Sequence, residues 1–205
     1  NGGILLLDEV DKCNAALGCS LHGIVDSKPW PIEQFSLVIN KHPYFRCMAT
    51  ANTMGEGGHE RYHTSQRMDQ ALRSRFGWRN THFPDRVREM AILDKKFPKL
   101  PHGMKKKMVE VANAFRDALL GPDRDGKIDN PINCVFSTRT IVDWGITTMS
   151  FGKNSTWRES LDFAFEGSID PEHYDSAMDI IQRVLGETID KTVGEVVQEF
   201  IPVKK

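Results

Sequence analysis

The feature that most constrains the fold is a short, wholly apolar segment that ends in two acidic residues. Ile4–Leu7 contains only isoleucine and leucine, and Asp8 and Glu9 follow it directly. A strand covered on both faces, as in a parallel sheet, is apolar at every position rather than at alternate ones. Ligands of such sheets bind beyond the carboxyl ends of the strands. The segment therefore predicts a central strand with two carboxylates at a ligand-binding edge.

Composition excludes several classes of protein. The 205 residues are 40% hydrophobic and 27% charged, with a net charge of -1, so no overall field attracts the chain to nucleic acid or membranes. No apolar run approaches the ~20 residues of a membrane span. The four cysteines form no CxxC pair, and we interpret them as reduced thiols. We therefore expect a cytoplasmic protein, with no membrane and no nucleic acid among its partners.

The chain begins Asn-Gly-Gly-Ile, without an initiator methionine, and enters the predicted strand within three residues. Termini of natural domains usually lie outside the core elements. We therefore expect the sequence to be part of a longer protein.

Strand-like segments follow in the first part of the chain. Phe35–Ile39 and Tyr44–Ala51 are rich in apolar residues and are joined by Asn40–Pro43, which predicts a hairpin. Tyr44–Ala51 is mostly apolar and predicts a second central strand. Trp78–Phe83, which ends before Pro84 and Asp85, predicts a third strand.

Helical spacing dominates the second part of the chain. Apolar residues recur there every three to four positions, and the whole sequence predicts helices at Asn14–Val25, Met68–Ser74, Asp85–Lys96, His102–Leu120, Ser137–Thr148 and Ser176–Leu185. We therefore divide the sequence into an α/β part, residues 1–83, an all-helical part, residues 84–186, and a C-terminal tail, residues 187–205.

Polar residues that follow the first two strands are the first candidates for chemistry. An enzyme that hydrolyses a nucleoside triphosphate needs one carboxylate near Mg²⁺ and a second that orients the attacking water. Asp8 and Glu9 supply such a pair, and Asn52 follows the strand-like run that ends at Ala51. An amide at that position can hydrogen-bond the γ-phosphate or the water. The alternatives are an acidic turn and an asparagine in an ordinary turn.

Two arginines near helix ends are the other candidates. Arg75 follows the predicted helix at Met68–Ser74, where it could contact the γ-phosphate of a neighbouring subunit as an arginine finger. The alternative is a surface arginine favoured by the helix dipole. Arg139 lies in the first turn of a helix that Ser137 caps, where a cation is unfavourable. We therefore expect Arg139 to have an anionic partner, either a phosphate or a carboxylate.

The order of these features resembles that of AAA+ ATPases, in which a Walker B strand, sensor 1, an arginine-finger helix and a helical lid with sensor 2 follow one another. Phe45–Thr53, Gly55–Phe76 and Ser137–Trp144 are similar to the corresponding segments of cobaltochelatase-type ATPases in the MoxR group, which usually have proline where Thr138 stands. Phe83–Arg86 resembles the entry to the MoxR lid. The likeness covers about residues 2–186.

This resemblance implies a role for each candidate residue. Asp8 would bind Mg²⁺, Glu9 would be the catalytic carboxylate, Asn52 sensor 1, Arg75 the finger and Arg139 sensor 2. It also implies ATP and Mg²⁺ as cofactors, a homo-oligomeric ring, and a protein partner such as a chelatase or a von Willebrand A-type subunit.

The resemblance further implies a partial AAA+ parallel sheet followed by a helical lid. Residues near Phe35–Tyr44 would form the insert that precedes sensor 1. The 205 residues contain no GxxxxGK[ST] phosphate-binding loop, so we expect that loop upstream of Asn1. In the implied strand order, 5-1-4-3-2, strand one would pair with Tyr44–Ala51.

Mg²⁺-dependent ATP hydrolysis that drives metal insertion or remodels a partner is the function these features predict. The alternatives are a MoxR-type chaperone, a DNA-directed motor, or an inactive fragment or interaction module that lacks the phosphate-binding loop. His59–His63 spells HExxH, a zinc-protease signature. The glycine-rich segment Gly55–Gly58 before it favours a solvated loop instead.

Overall fold

The computed structural model describes residues 2–26, 29–56, 64–121 and 131–201, and the chain divides into two compact units. Residues 1–81 form the N-terminal unit, which contains the strands, and residues 82–205 form the helical unit. The predicted class of fold, a small parallel sheet followed by an all-helical part, is confirmed. The HExxH segment, residues 59–63, lies outside the described residues.

The N-terminal unit contains a parallel pair of strands. Strand β1 (Ile4–Leu7) pairs with β4 (Arg46–Ala49), so that Leu7 lies opposite Ala49 and the two carboxyl ends are side by side. One face of this pair is exposed, because Ile4, Leu6 and Met48 are 71%, 58% and 56% accessible. Nothing in the described part of the chain covers this face, which the apolar sequence of β1 predicts to be buried.

The predicted hairpin between Phe35–Ile39 and Tyr44–Ala51 is also wrong. Strand β2 (Trp30–Ile32) pairs antiparallel with β3 (Leu37–Ile39), and the second apolar run joins β1 instead. Strand β2 contains a proline, Pro31, which lacks a backbone N–H. Proline is tolerated in this strand because an edge strand does not need every N–H for pairing.

The predicted third strand at Trp78–Phe83 is not formed, and residues 77–85 have no regular structure. Trp78 contacts the end of helix α2 (Gln70–Arg73) instead: its indole N–H donates to the Arg73 carbonyl over 2.9 Å, and the Arg73 guanidinium lies 5.9 Å from its ring. A β-rich composition yields a strand only where a partner strand is available to pair with it.

The helices of both units begin and end close to the predicted positions. Helix α1 spans Ala15–Val25 in the N-terminal unit, and the helical unit contains α3 (Arg86–Lys96), α4 (His102–Leu120), α5 (Thr138–Phe151), α6 (Trp157–Phe165), α7 (Tyr174–Leu185) and α8 (Val193–Phe200). Helices α6 and α8 were not predicted. Each begins with a capping box, Thr156 with Glu159 and Thr192 with Glu195.

The core of the helical unit is built from aromatic residues. Phe115, Phe136 and Phe165 lie within 5.3 Å of one another by ring centroids, and Trp144 stacks on Trp157 at 5.0 Å. All five side chains are at most 2% exposed. Aromatic rings bury more apolar area than other side chains, so this cluster contributes a large share of the unit's stability.

Residues 187–205, which the sequence set apart as a tail, contribute to the same core. Ile189, Val193 and Val196 are at most 5% exposed and belong to the apolar cluster of the helical unit. Helix α8 is therefore part of this unit. Among the described residues, no helix combines the length and apolar composition that crossing a membrane requires.

Candidate functional site

The carboxyl ends of β1 and β4 are joined by hydrogen bonds that continue past the strands. The Thr50 N–H donates to the Leu7 carbonyl over 2.9 Å, and the Val10 N–H donates to the Thr50 carbonyl over 2.9 Å. Asp8 and Glu9 lie between these two bonds, and Asn52 lies two residues beyond Thr50. The fold therefore brings three of the predicted site residues to one edge of the sheet.

Thr50 connects the two acidic residues, a role that the sequence alone did not predict. Its hydroxyl donates to the Asp8 carboxylate and accepts from the Glu9 N–H over 2.9 Å. Glu9 has φ = 53°, in the left-handed region that few residues other than glycine adopt. Its carboxylate lies 2.8 Å from Lys12 Nζ, with about half of the side chain exposed. The turn thus leaves the Glu9 carboxylate accessible to solvent.

The loop that contains Asn52 is hydrogen-bonded to the carboxylate of Asp11, which is 0% exposed. The Asp11 Oδ2 accepts from the backbone N–H groups of Asn52 and Thr53 over 3.1 and 3.0 Å. It also accepts from the hydroxyls of Thr53 and Ser65 over 3.0 and 2.8 Å. Burial raises the pKa of Asp11, but these hydrogen bonds outweigh it and lower the pKa below its usual value. The Asn52 side chain itself is exposed.

Arg75 belongs to the same unit but not to the same edge of the sheet. Its Nε donates to Asp26 Oδ1 over 2.7 Å and its Nη2 to Asp26 Oδ2 over 3.3 Å. This hydrogen-bonded carboxylate raises the pKa of the guanidinium. Asp26 ends helix α1, whose first residues follow the Glu9 turn, and a helix of 11 residues is about 16 Å long. Arg75 is therefore attached at the far end of α1 from Asp8 and Glu9.

Arg139 lies in the helical unit, in the first turn of α5, and its side chain is exposed. Within the described parts of the chain it has no ion-pair partner, so the expected anionic partner is not found there. The side chain of the neighbouring Thr138 is held by a hydrogen bond, in which its hydroxyl donates to Glu89 Oε1 over 2.7 Å.

Asp8 and Thr50 together fit the chemistry of a Mg²⁺ site. Mg²⁺ takes oxygen ligands and is usually held by one or two carboxylates together with waters and substrate phosphates. The exposed Asp8 carboxylate and the Thr50 hydroxyl offer such oxygens next to each other. The described residues contain no cluster of three or more potential metal-binding side chains.

Comparison with known proteins gives two matches. Residues 1–76 match the family described as AAA domain (dynein-related subfamily). The chain is 30% identical over 175 residues to the aerobic cobaltochelatase subunit CobS of Sinorhizobium sp, a match that covers 80% of this chain and 48% of that protein. The chain thus spans about half the length of this curated relative. Both matches relate the chain to AAA+ ATPases, and the fold is that of a partial AAA+ sheet with a helical subdomain.

Proposed function

We propose that this chain forms the hydrolytic part of an AAA+ ATPase, and that the complete protein couples Mg²⁺-dependent ATP hydrolysis to metal insertion by a partner or to remodelling of that partner. The observation that carries the proposal is the edge of the sheet where the Thr50 hydroxyl bonds to Asp8 and to the Glu9 N–H, with Asn52 two residues further along the same loop. Two carboxylates and an amide at adjacent strand ends are what phosphoryl transfer to water requires.

Each of these residues has a distinct task in the proposed reaction. Asp8, together with the Thr50 hydroxyl, would hold Mg²⁺, which supplies positive charge next to the ATP phosphates. Glu9 orients the attacking water and accepts its proton, because its carboxylate is exposed beyond the strand end. Asn52 donates a hydrogen bond to the γ-phosphate or positions the water.

Arg75 acts on a neighbouring subunit. Its attachment about one helix length from Asp8 and Glu9 within the same unit supports action across a subunit interface rather than within the chain. An arginine supplied in this way stabilises the charge that develops on the transferred phosphoryl group. The proposal therefore includes a homo-oligomeric ring, with the exposed Arg139 as the sensor 2 residue.

The partner is proposed from the relative whose printed name is aerobic cobaltochelatase subunit CobS. We propose that this protein serves a chelatase or a von Willebrand A-type subunit in the cytoplasm. Segment Ser137–Trp144, which resembles the lid helix of those ATPases, forms the first half of α5.

ATP turnover by the complete protein tests this function. Glu9→Gln should bind ATP as the unmutated protein does and lose at least about 100-fold in turnover, since it removes the general base but leaves Asp8 and Thr50 in place. Glu56→Gln, the same change at an exposed glutamate of the same unit, is the matched control and should keep turnover. Unchanged turnover in Glu9→Gln would contradict the role of Glu9.

A further inference from the structure

We infer that Asp11 is a positioning residue that fixes the Asn52 amide relative to the Glu9 carboxylate. The inference rests on the proposed function, in which Asn52 contacts the γ-phosphate or the attacking water. Nothing in the Asp-Glu pair or in the strand pattern of the sequence pointed to Asp11.

Four donors meet at one oxygen of the Asp11 carboxylate. Two backbone N–H groups and two hydroxyls, from Asn52, Thr53 and Ser65, donate to Asp11 Oδ2 over 2.8–3.1 Å. These donors lie 41 to 54 residues away in sequence. A hydrogen bond to an ionised acceptor is about twice as strong as one between neutral groups. Asp11 therefore holds the Asn52 loop by tertiary contacts.

Asp11 is also close to Glu9 in the chain, and its backbone is held there by hydrogen bonds. Asp11 belongs to a single turn, Val10–Lys12, that begins directly after Glu9. Its carbonyl accepts from the Gln66 N–H over 2.7 Å, and the preceding Val10 N–H is bonded to Thr50. Hydrogen bonds thus connect the turn, the Asn52 loop and the segment at Ser65 to one another.

Asp11 is fully buried. Among the described residues, no lysine or arginine pairs with it and no group donates to its Oδ1. A buried charge without a counter-ion is unfavourable unless hydrogen bonds compensate for it. Here the compensation comes from the loop donors, so the position of the loop and the ionised state of Asp11 depend on each other.

Asp11 acts on chemistry only through this geometry, since it is buried and Asn52 is exposed. Displacing a catalytic group by about 1 Å can reduce a rate about 100-fold. Loss of Asp11 should therefore lower kcat for ATP and leave KM nearly unchanged, because the affected interaction forms in the transition state.

The test is steady-state ATP hydrolysis by the complete protein carrying Asp11→Asn, Asn52→Ala, or both. We expect Asp11→Asn to lower kcat at least tenfold, with KM within about twofold. In the Asn52→Ala background the same change should add no further loss, because residues that act through one another are not additive. Asp190→Asn removes a carboxylate in the helical unit and is the charge-matched control.

If Asp11→Asn does not fold, variants that remove only one hydrogen bond to Asp11 test the same inference. Ser65→Ala and Thr53→Ala each remove one hydroxyl donor to Asp11 and leave the other three donors in place. A fall in kcat at an unchanged melting temperature supports the inference. Unchanged kcat in these variants, or additive losses in the double variant, would overturn it. If the unmutated protein does not hydrolyse ATP, the proposed function itself fails; if it does and only the Asp11 series behaves as unmutated, the inference alone fails.

Discussion

Arg75 is held by a carboxylate of its own chain, and this contact bears on its proposed use by a neighbour. The guanidinium forms two hydrogen bonds to Asp26 and a third to the Ala71 carbonyl. A finger that reaches another subunit's phosphate has to give up part of this bonding. The ion pair is partly exposed, so solvent and salt weaken it.

We therefore expect Asp26→Asn to raise ATP turnover of the complete protein by less than about tenfold, because releasing a surface ion pair frees only a small amount of energy. The difference from the unmutated protein should shrink as salt is added. The measurement is turnover as a function of ionic strength, with Asp190→Asn as the charge-matched control. A large loss of turnover in Asp26→Asn would mean that Asp26 orients Arg75 rather than competes for it.

Asp8 and Glu9 could be predicted from the sequence because adjacent carboxylates after an apolar strand are a local pattern. Thr50 and Asp11 could not, because their roles depend on the register of β1 with β4 and on bonds between segments more than 40 residues apart. The register of β1 with β4 cannot be inferred from a single sequence. That the HExxH segment forms a solvated loop remains a prediction.

At the scale of elements, a buried ion pair joins three helices of the helical unit. Arg116 on α4 donates to both carboxylate oxygens of Glu89 on α3, over 2.9 and 2.7 Å, and both side chains are 0% exposed. The Arg116 Nε donates to the Phe136 carbonyl over 3.0 Å, and Glu89 accepts from Thr138. The pair thus fixes the chain on both sides of the residue that caps α5.

Glu89→Gln should lower the free energy of unfolding by about 3–5 kcal/mol, because it leaves a buried guanidinium without its counter-charge. Adding Arg116→Met should recover part of this loss. The measurement is urea unfolding followed by circular dichroism. Arg88→Ala, which breaks the exposed pair with Asp85, is the control and should change stability by less than about 1 kcal/mol. Equal effects of Glu89→Gln and Arg88→Ala would show that the buried pair adds nothing.

Elements with strong local signals were predicted well, and those that depend on partners were not. Helix α4 spans His102–Leu120, as its apolar spacing predicted. The predicted hairpin at Phe35–Ala51 was wrong because its two apolar runs pair with other strands, β3 with β2 and β4 with β1. Helices α6 and α8 are short and were overlooked, although their capping boxes are visible in the sequence as Thr156–Glu159 and Thr192–Glu195.

At the scale of the molecule, the two units differ in how much apolar surface they bury. The core of the N-terminal unit consists of Val10, Leu21, Met68 and Leu72, while one face of its sheet is exposed. The helical unit contains the aromatic cluster and the residues of six helices. Stability rises with the apolar area removed from water, so the two units should differ in stability.

Hydrogen exchange on the 205-residue chain tests this difference. We expect strong protection in α4–α7 and weak protection through residues 4–51, because local opening is easiest where few apolar contacts are buried. The same chain should not bind ATP tightly, since it contains no phosphate-binding loop. Strong protection throughout residues 4–51, or sub-micromolar ATP binding by calorimetry, would contradict this expectation.

In the proposed function, ATP is hydrolysed at an interface where one subunit supplies Glu9 and its neighbour supplies Arg75. Mixing two inactive variants of the complete protein tests whether the two residues act on the same ATP. Glu9→Gln and Arg75→Ala should each be inactive alone, and the mixture should regain turnover, because Glu9→Gln subunits supply Arg75 to intact Glu9 sites. A mixture that forms mixed rings but stays inactive would contradict the claim, as would either variant that turns over ATP normally by itself.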